Sequence, residues 1–246
     1  MQIYHMNIQD KLKNEIKSFQ TIWKGGFKTG YNAKRNQKGI EEYLKKSMRG
    51  NCCLEIGCGR GQWSKAIYDL NVFDKIYCID VLSAEHNNFW EYVGNEKRDK
   101  IEYIQVTDFN LSDIPDNCLD YVFSYDVFCH ISYSGQEKYI SELYNKCKIN
   151  CELCIMYADV TKYLSSEPHH IGHVKQYIPN KGEHCKTNKE LIDLAVSDRD
   201  GNPSRGRWYW VGMEHFTGLC SKYNYTIIYK DLNIDKTNPL TLFKKI

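Results

Sequence analysis

With 246 residues, 42% of them apolar and 26% charged, the chain has the make-up of an ordinary folded protein with room for a sizeable core. A formal net charge of +2 argues against broad electrostatic capture of nucleic acid. No apolar run approaches the roughly 18 residues of a membrane-spanning helix, and the polar stretch from Met1 to Lys17 lacks the apolar segment of a secretory signal.

Residues from about Asp10 to Trp23 have helical spacing, with Leu12, Ile16 and Phe19 on one face. The glycine-rich, aromatic stretch 23–31 follows. It reads either as a surface turn or as a flap over a ligand, with Trp23 at its start. Gly39 to Met48 reads as a second helix, burying Ile40, Tyr43, Leu44 and Met48. The organising stretch is 53–63, Cys-Leu-Glu-Ile-Gly-Cys-Gly-Arg-Gly-Gln-Trp. Cys52 to Ile56 is an apolar run broken only by Glu55, as in a strand inside a parallel sheet. Gly57, Gly59 and Gly61 permit a sharp turn with no Cβ between backbone and ligand. Gln62 to Leu70 then reads as a helix. The spacing G-x-G-x-G is not the G-x-G-x-x-G of a dinucleotide site. Glu55 before the turn would repel a pyrophosphate but suits an ammonium or sulfonium ligand.

A strand over 75–80 ends in Asp80, placed to accept from ribose hydroxyls, with Val81 beside it. A helix is expected around 84–93. An alternating strand over 101–106 precedes Asp108 and Phe109, and a fourth strand over 119–124 ends in Ser124 and leads into Tyr125, Asp126 and His130. A helix over 134–147 and a strand over 151–158 complete an alternating pattern, which implies a parallel sheet with helices on both faces. Residues 161–210 do not fit the minimal pattern. They are polar, contain Pro168, Pro179 and Pro203, and carry His169, His170 and His173. They leave the carboxyl end of a strand, the edge where open α/β sheets bind ligands. Within them, Arg205 and Arg207 could hold a phosphate or carboxylate, or be solvated loop charges. A helix over 213–222 and strands over 225–230 and 240–244 end the chain.

Together these stretches resemble the class I S-adenosylmethionine (SAM) methyltransferases, most specifically at 53–63, 76–81, 104–109 and 119–131. The resemblance implies an α/β, Rossmann-like, seven-stranded, mostly parallel sheet with a closing C-terminal β-hairpin and helices on both faces. It implies SAM as cofactor, held by Glu55, Gly57, Cys58, Gly59, Gly61, Asp80, Val81 and Ser124, with Trp23 in a flap. It also implies that Asp108 bonds the adenine amino group and that Phe109 packs on the ring. The expected organisation is an N-terminal helix and flap (1–38), a cofactor-binding core (39–160), an acceptor-binding insertion (161–210), and a helix and hairpin closing the core (211–246).

Methyl transfer is an in-line displacement that depends on alignment, and an oxygen nucleophile gains from a base near neutral pH. His169, His170 and His173 are the candidates, with Asp126 to orient a base or touch the acceptor and Tyr125 beside it. His130 reads mainly as a structural residue. An Asn-Pro-Pro-Tyr tetrad of base and glutamine N-methyltransferases is absent, since Ser124-Tyr125-Asp126-Val127 stands in its place. The flap and the histidine-bearing insertion are similar to bacterial sugar and natural-product O-methyltransferases. That similarity implies a small-molecule acceptor, a carbohydrate foremost, and a possible homodimer. A methyltransferase of protein or RNA, or a non-catalytic partner-binding subunit, are the alternatives. The eleven cysteines sit largely in apolar runs, which points to reduced thiols and a cytoplasmic setting. Cys151 and Cys154 form an isolated C-x-x-C that a strand would turn to opposite faces, and no metal is expected.

Overall fold

The computed structural model describes residues 7–23, 33–167, 170–178, 184–201 and 208–246. Among them a seven-stranded sheet runs β3-β2-β1-β4-β5-β7-β6. The strands are β1 (Cys52–Ile56), β2 (Lys75–Asp80), β3 (Ile101–Gln105), β4 (Leu119–Ser124), β5 (Cys147–Met156), β6 (Tyr225–Tyr229) and β7 (Leu240–Lys245). The first five are parallel, and β7 lies antiparallel between β5 and β6. The seven strands, their mostly parallel direction and the antiparallel closing pair are as the resemblance implies.

Each strand face feeds its own apolar cluster. One joins Cys53, Cys78 and Cys154 to α2 (Ala33–Ser47), α3 (Gln62–Asp69) and α4 (Phe89–Val93). The other joins Leu54, Ile79 and Cys151 to α1 (Ile8–Trp23), α5 (Tyr133–Lys146) and α9 (Met213–Lys222). Cys151 and Cys154 thus enter opposite clusters, because successive side chains of a strand alternate. Both thiols are unpaired.

The segment expected as an irregular polar insertion is largely helical. It contains α6 (Val160–Ser166), α7 (His170–Tyr177) and α8 (Asn188–Ser197). Asp159 caps α6 by accepting from Lys162 N–H at 2.7 Å and reaches Met213 N–H at 2.7 Å, so one carboxylate fixes the starts of α6 and α9. Thr187 and Glu190 form a capping box on α8, whose Leu191 and Ala195 bury into the first cluster. The helix around 84–93 is shorter than expected, because residues 84–88 form turns before α4.

Candidate active site

The site is built at the carboxyl ends of β1, β2, β4 and β5. After β1 the chain turns through Gly57, Gly59 and Gly61 at φ of 75, 50 and 95°. Gly57 and Cys58 N–H donate to the Ile79 carbonyl, tying the turn to β2. A Cβ at Gly57 would lie 2.2 Å from the Val127 side chain, so the post-β4 segment also needs this glycine. Asp80 accepts from Gly59 N–H and from Leu82 N–H, each at 2.9 Å. The Asn87 side chain and the Val81 N–H also donate to Asp80, and together these bonds hold its carboxylate at the end of β2. Asp108, exposed beyond β3, caps its own turn by accepting from Asn110 N–H. Between them the Val81 carbonyl accepts from Gln20 of α1 at 3.0 Å, so α1 reaches the end of β2.

Three residues expected at the cofactor turn inward. Glu55 is 2% exposed and accepts from Ser64 of α3, with the Cys78 thiol also directed to it. Burial pushes its carboxyl up to about 7, opposed by the Ser64 bond. It braces the glycine turn from beneath instead of facing its mouth. Phe109 is fully buried and packs edge-on against Tyr139 of α5, because the positive φ of 59° turns it back under the sheet. Ser124 is buried and donates to the Ile56 carbonyl, joining β4 to β1. Cys58 is also buried. Trp23 ends α1, but its side chain and the rest of the flap, 24–31, lie outside the described residues.

Past the end of β4, Tyr125 packs edge-on against Trp63 of α3 and donates to Asp235 at 2.6 Å. Asp235 also accepts from Asn36 of α2, from Thr237 and from Asn238. Asp126 has a φ of 62°, and its Oδ1 accepts from the Cys129 thiol at 3.7 Å. Burial raises the pKa of Asp126, and the nearby His130 partly offsets that. The His130 ring meets Trp208 edge-on at 5.3 Å. Trp208 is held over this segment because the next residue, Tyr209, donates its N–H to the Cys129 carbonyl.

His170 and His173 lie on α7, against Tyr163 of α6. His170 is buried and stacked on Tyr163, and its Nδ1 lies 2.9 Å from the Tyr163 carbonyl, so that nitrogen carries the proton. His173 Nδ1 is hydrogen-bonded to the Tyr163 hydroxyl. Desolvation, then the charge of His170, lowers the His173 pKa. Trp208 completes this group at 6.0 Å from His173. His169, Arg205 and Arg207 lie outside the described residues. Sequence reasoning missed Tyr163, Trp208, Asp235 and Asn36. Only tertiary packing brings them to the site, and no local motif marks them.

Residues 54–155 match the family model described as a methyltransferase domain. The fold is that of SAM-dependent methyltransferases. A SAM-dependent methyltransferase from Aquifex aeolicus superposes with a TM-score of 0.57, covering 95% of this chain and 98% of that one at 15% identity. The PH0226 protein of Pyrococcus horikoshii gives 0.59, with 89% and 93% covered at 16% identity. Phosphoethanolamine N-methyltransferase 2 of Haemonchus contortus, solved with SAM, gives 0.52 over 92% of this chain and 46% of that one, at 19% identity. In sequence, this chain is 28% identical over 146 residues to phosphoethanolamine N-methyltransferase 2 of Caenorhabditis elegans. The match spans 59% of this chain and only 31% of that relative. The fit of the domain to SAM rests on its donor set. Asp80 and Asp108 offer acceptors at neighbouring strand ends, and the turn beside them carries no Cβ at Gly59.

Proposed function

We propose that this chain transfers the methyl group of SAM to an oxygen of a small polar metabolite, with residues 161–210 as the acceptor-binding insertion. The observation that carries the reading is the group at the ends of β4 and β5. His173, bonded to Tyr163, lies against Trp208, and Trp208 in turn meets the ring of His130, whose neighbour in the same segment is Asp126. A neutral imidazole in that place serves as a general base, and aromatic walls with a carboxylate orient a polyhydroxyl ring. Beyond Asp235 a groove of about 1080 Å³, lined by Asp159, Lys162, Ser166, Lys230 and Asp231 among others, offers further hydroxyl-binding room. In this reading Gly57, Gly59, Asp80, Val81 and Asp108 hold the cofactor, while Glu55 and Ser124 position them from behind. Arg205 and Arg207 are proposed to meet an anionic part of the acceptor, such as a sugar phosphate. The cysteines, none of them in a disulfide among the described residues, support a reducing, cytoplasmic setting.

A second reading takes an amine as acceptor. It is favoured by the relative from Caenorhabditis elegans, whose name describes N-methylation of phosphoethanolamine, and by the Asp126 carboxylate, whose charge suits an ammonium group. Transfer of labelled methyl from SAM to a panel of sugars, sugar phosphates, nucleotide sugars and phosphoethanolamine decides between them. Label on a carbohydrate hydroxyl supports the first reading. Label on phosphoethanolamine alone replaces it with the second.

A further inference from the structure

Asp126, Cys129 and His130 leave β4 in succession, the last two in the single 3-10 turn Phe128–His130. Their ligand-type atoms, a carboxylate oxygen, a thiol sulfur and an imidazole nitrogen, all lie within 4.8 Å of one another. The Asp126 Oδ1 to Cys129 Sγ distance is 3.7 Å. Tetrahedral zinc, with oxygen at about 2.0 Å and sulfur at about 2.3 Å, sets such a pair roughly 3.5 Å apart. The two atoms therefore need only a small adjustment. A carboxylate and a thiolate also cancel the charge of a divalent ion, which suits a half-buried place.

We propose that Asp126, Cys129 and His130 form a binding site for one zinc-type divalent cation at the acceptor end of the fold. Thiolate and imidazole together select zinc or cobalt over magnesium or calcium, which prefer all-oxygen sites. Three protein ligands leave the fourth position open, as in catalytic rather than structural zinc sites. The use of that position rests on the acceptor reading above; binding of the ion does not. An acceptor hydroxyl on the ion gives up its proton more readily, to His173 or solvent. Its oxygen then forms a bond to the methyl carbon as the carbon–sulfur bond breaks and the electron pair stays on sulfur. The ion changes no oxidation state.

The test is a Co²⁺ titration of the full chain, stripped of metal and kept reduced with a phosphine. The expected result is a thiolate-to-cobalt charge-transfer absorption that saturates at one ion per chain and is bleached by Zn²⁺. Cys129→Ser should abolish it, whereas Cys118→Ser, at the opposite end of β4, should leave it intact. Asp126→Asn and His130→Gln should each weaken Co²⁺ binding by at least about tenfold. No absorption in the unaltered chain overturns the proposal. So does absorption that survives Cys129→Ser, since another of the thiols would then be the ligand. If Cys129→Ser fails to fold, the two partner variants decide, and unchanged affinity in both overturns the three-ligand centre. Should no panel acceptor be methylated while the absorption behaves as expected, the acceptor reading fails and the cation site stands.

Discussion

Gly57 shows how much one absent side chain can carry. It adopts a positive φ, and an added Cβ would lie 2.2 Å from Val127. Gly57→Ala should therefore destabilise the protein by about 1–3 kcal/mol, read as a lower urea midpoint at unchanged slope. Val127→Ala in the same chain should recover the steric part and leave the backbone strain, which a double-mutant cycle separates. His173 supplies a second prediction. Its pKa is lowered, so its ring resonances should titrate below the ordinary histidine value in an NMR pH series. Removing the Tyr163 hydroxyl with Tyr163→Phe should disturb that titration and leave binding of S-adenosylhomocysteine unchanged. At this scale the sequence was legible where chemistry depends on backbone spacing: Gly57, Gly59, Asp80 and Asp108 lie where the motif puts them. It was less legible where a side chain chooses a face. Glu55 and Phe109 belong to the same motifs, yet packing turns both inward, and strand or loop spacing alone does not settle which way a residue before or after a turn will point.

Among the elements, α1 acts as a clasp. Its Glu15 is fully buried and accepts from both the backbone N–H and the hydroxyl of Ser132, the N-cap of α5. One turn earlier Lys11 pairs with Asp200 at 2.9 Å, joining α1 to the segment that follows α8. Burial lifts the Glu15 carboxyl to about 7, against the lowering effect of the Ser132 bonds and Lys11. An acid whose pKa is raised on folding contributes stability that is fully present below its unfolded value and lost as pH rises through the folded one. The clasp should accordingly weaken between about pH 5 and about pH 8, by on the order of 3 kcal/mol if α1 unfolds with the rest. Glu15→Gln should flatten that part of the pH–stability curve. Glu55 titrates in the same window, so the Glu55→Gln curve must be measured beside it. The boundaries of β1, β2, β4 and α9 were readable because apolar runs and their flanking turns are local. Helices α6 to α8 were not, since prolines and histidines mask their periodicity. The capping box of Thr187 and Glu190 ahead of Leu191 was nonetheless in plain view and would have revealed α8.

For the whole molecule, the arrangement predicts micromolar binding of S-adenosylhomocysteine and none of NAD in calorimetric titration, since the turn lacks the third dinucleotide glycine. Gly59→Arg should abolish that binding. Failure to bind either ligand would count against the cofactor reading of the turn. Binding of NAD would overturn it. Among the described residues no helix is long and apolar enough to cross a membrane. The architecture was legible because alternating strands and helices leave few ways to stack a parallel sheet. The proposed acceptor side was not, because Asn36, Tyr163, Trp208 and Asp235, far apart in the chain, are brought together only by tertiary packing.

The place of β7 has a consequence for synthesis in the cell. Strand β5 is almost wholly apolar in its second half, from Cys151 to Met156, and its outer edge pairs with β7, which follows only after more than eighty further residues. At about 5–20 residues per second, a ribosome leaves that edge open for several seconds. An exposed apolar edge strand is a template for pairing with other chains. The nascent protein should therefore depend on a chaperone during this interval more than its finished stability suggests. Slowing translation between residues 156 and 240 should lower its soluble yield.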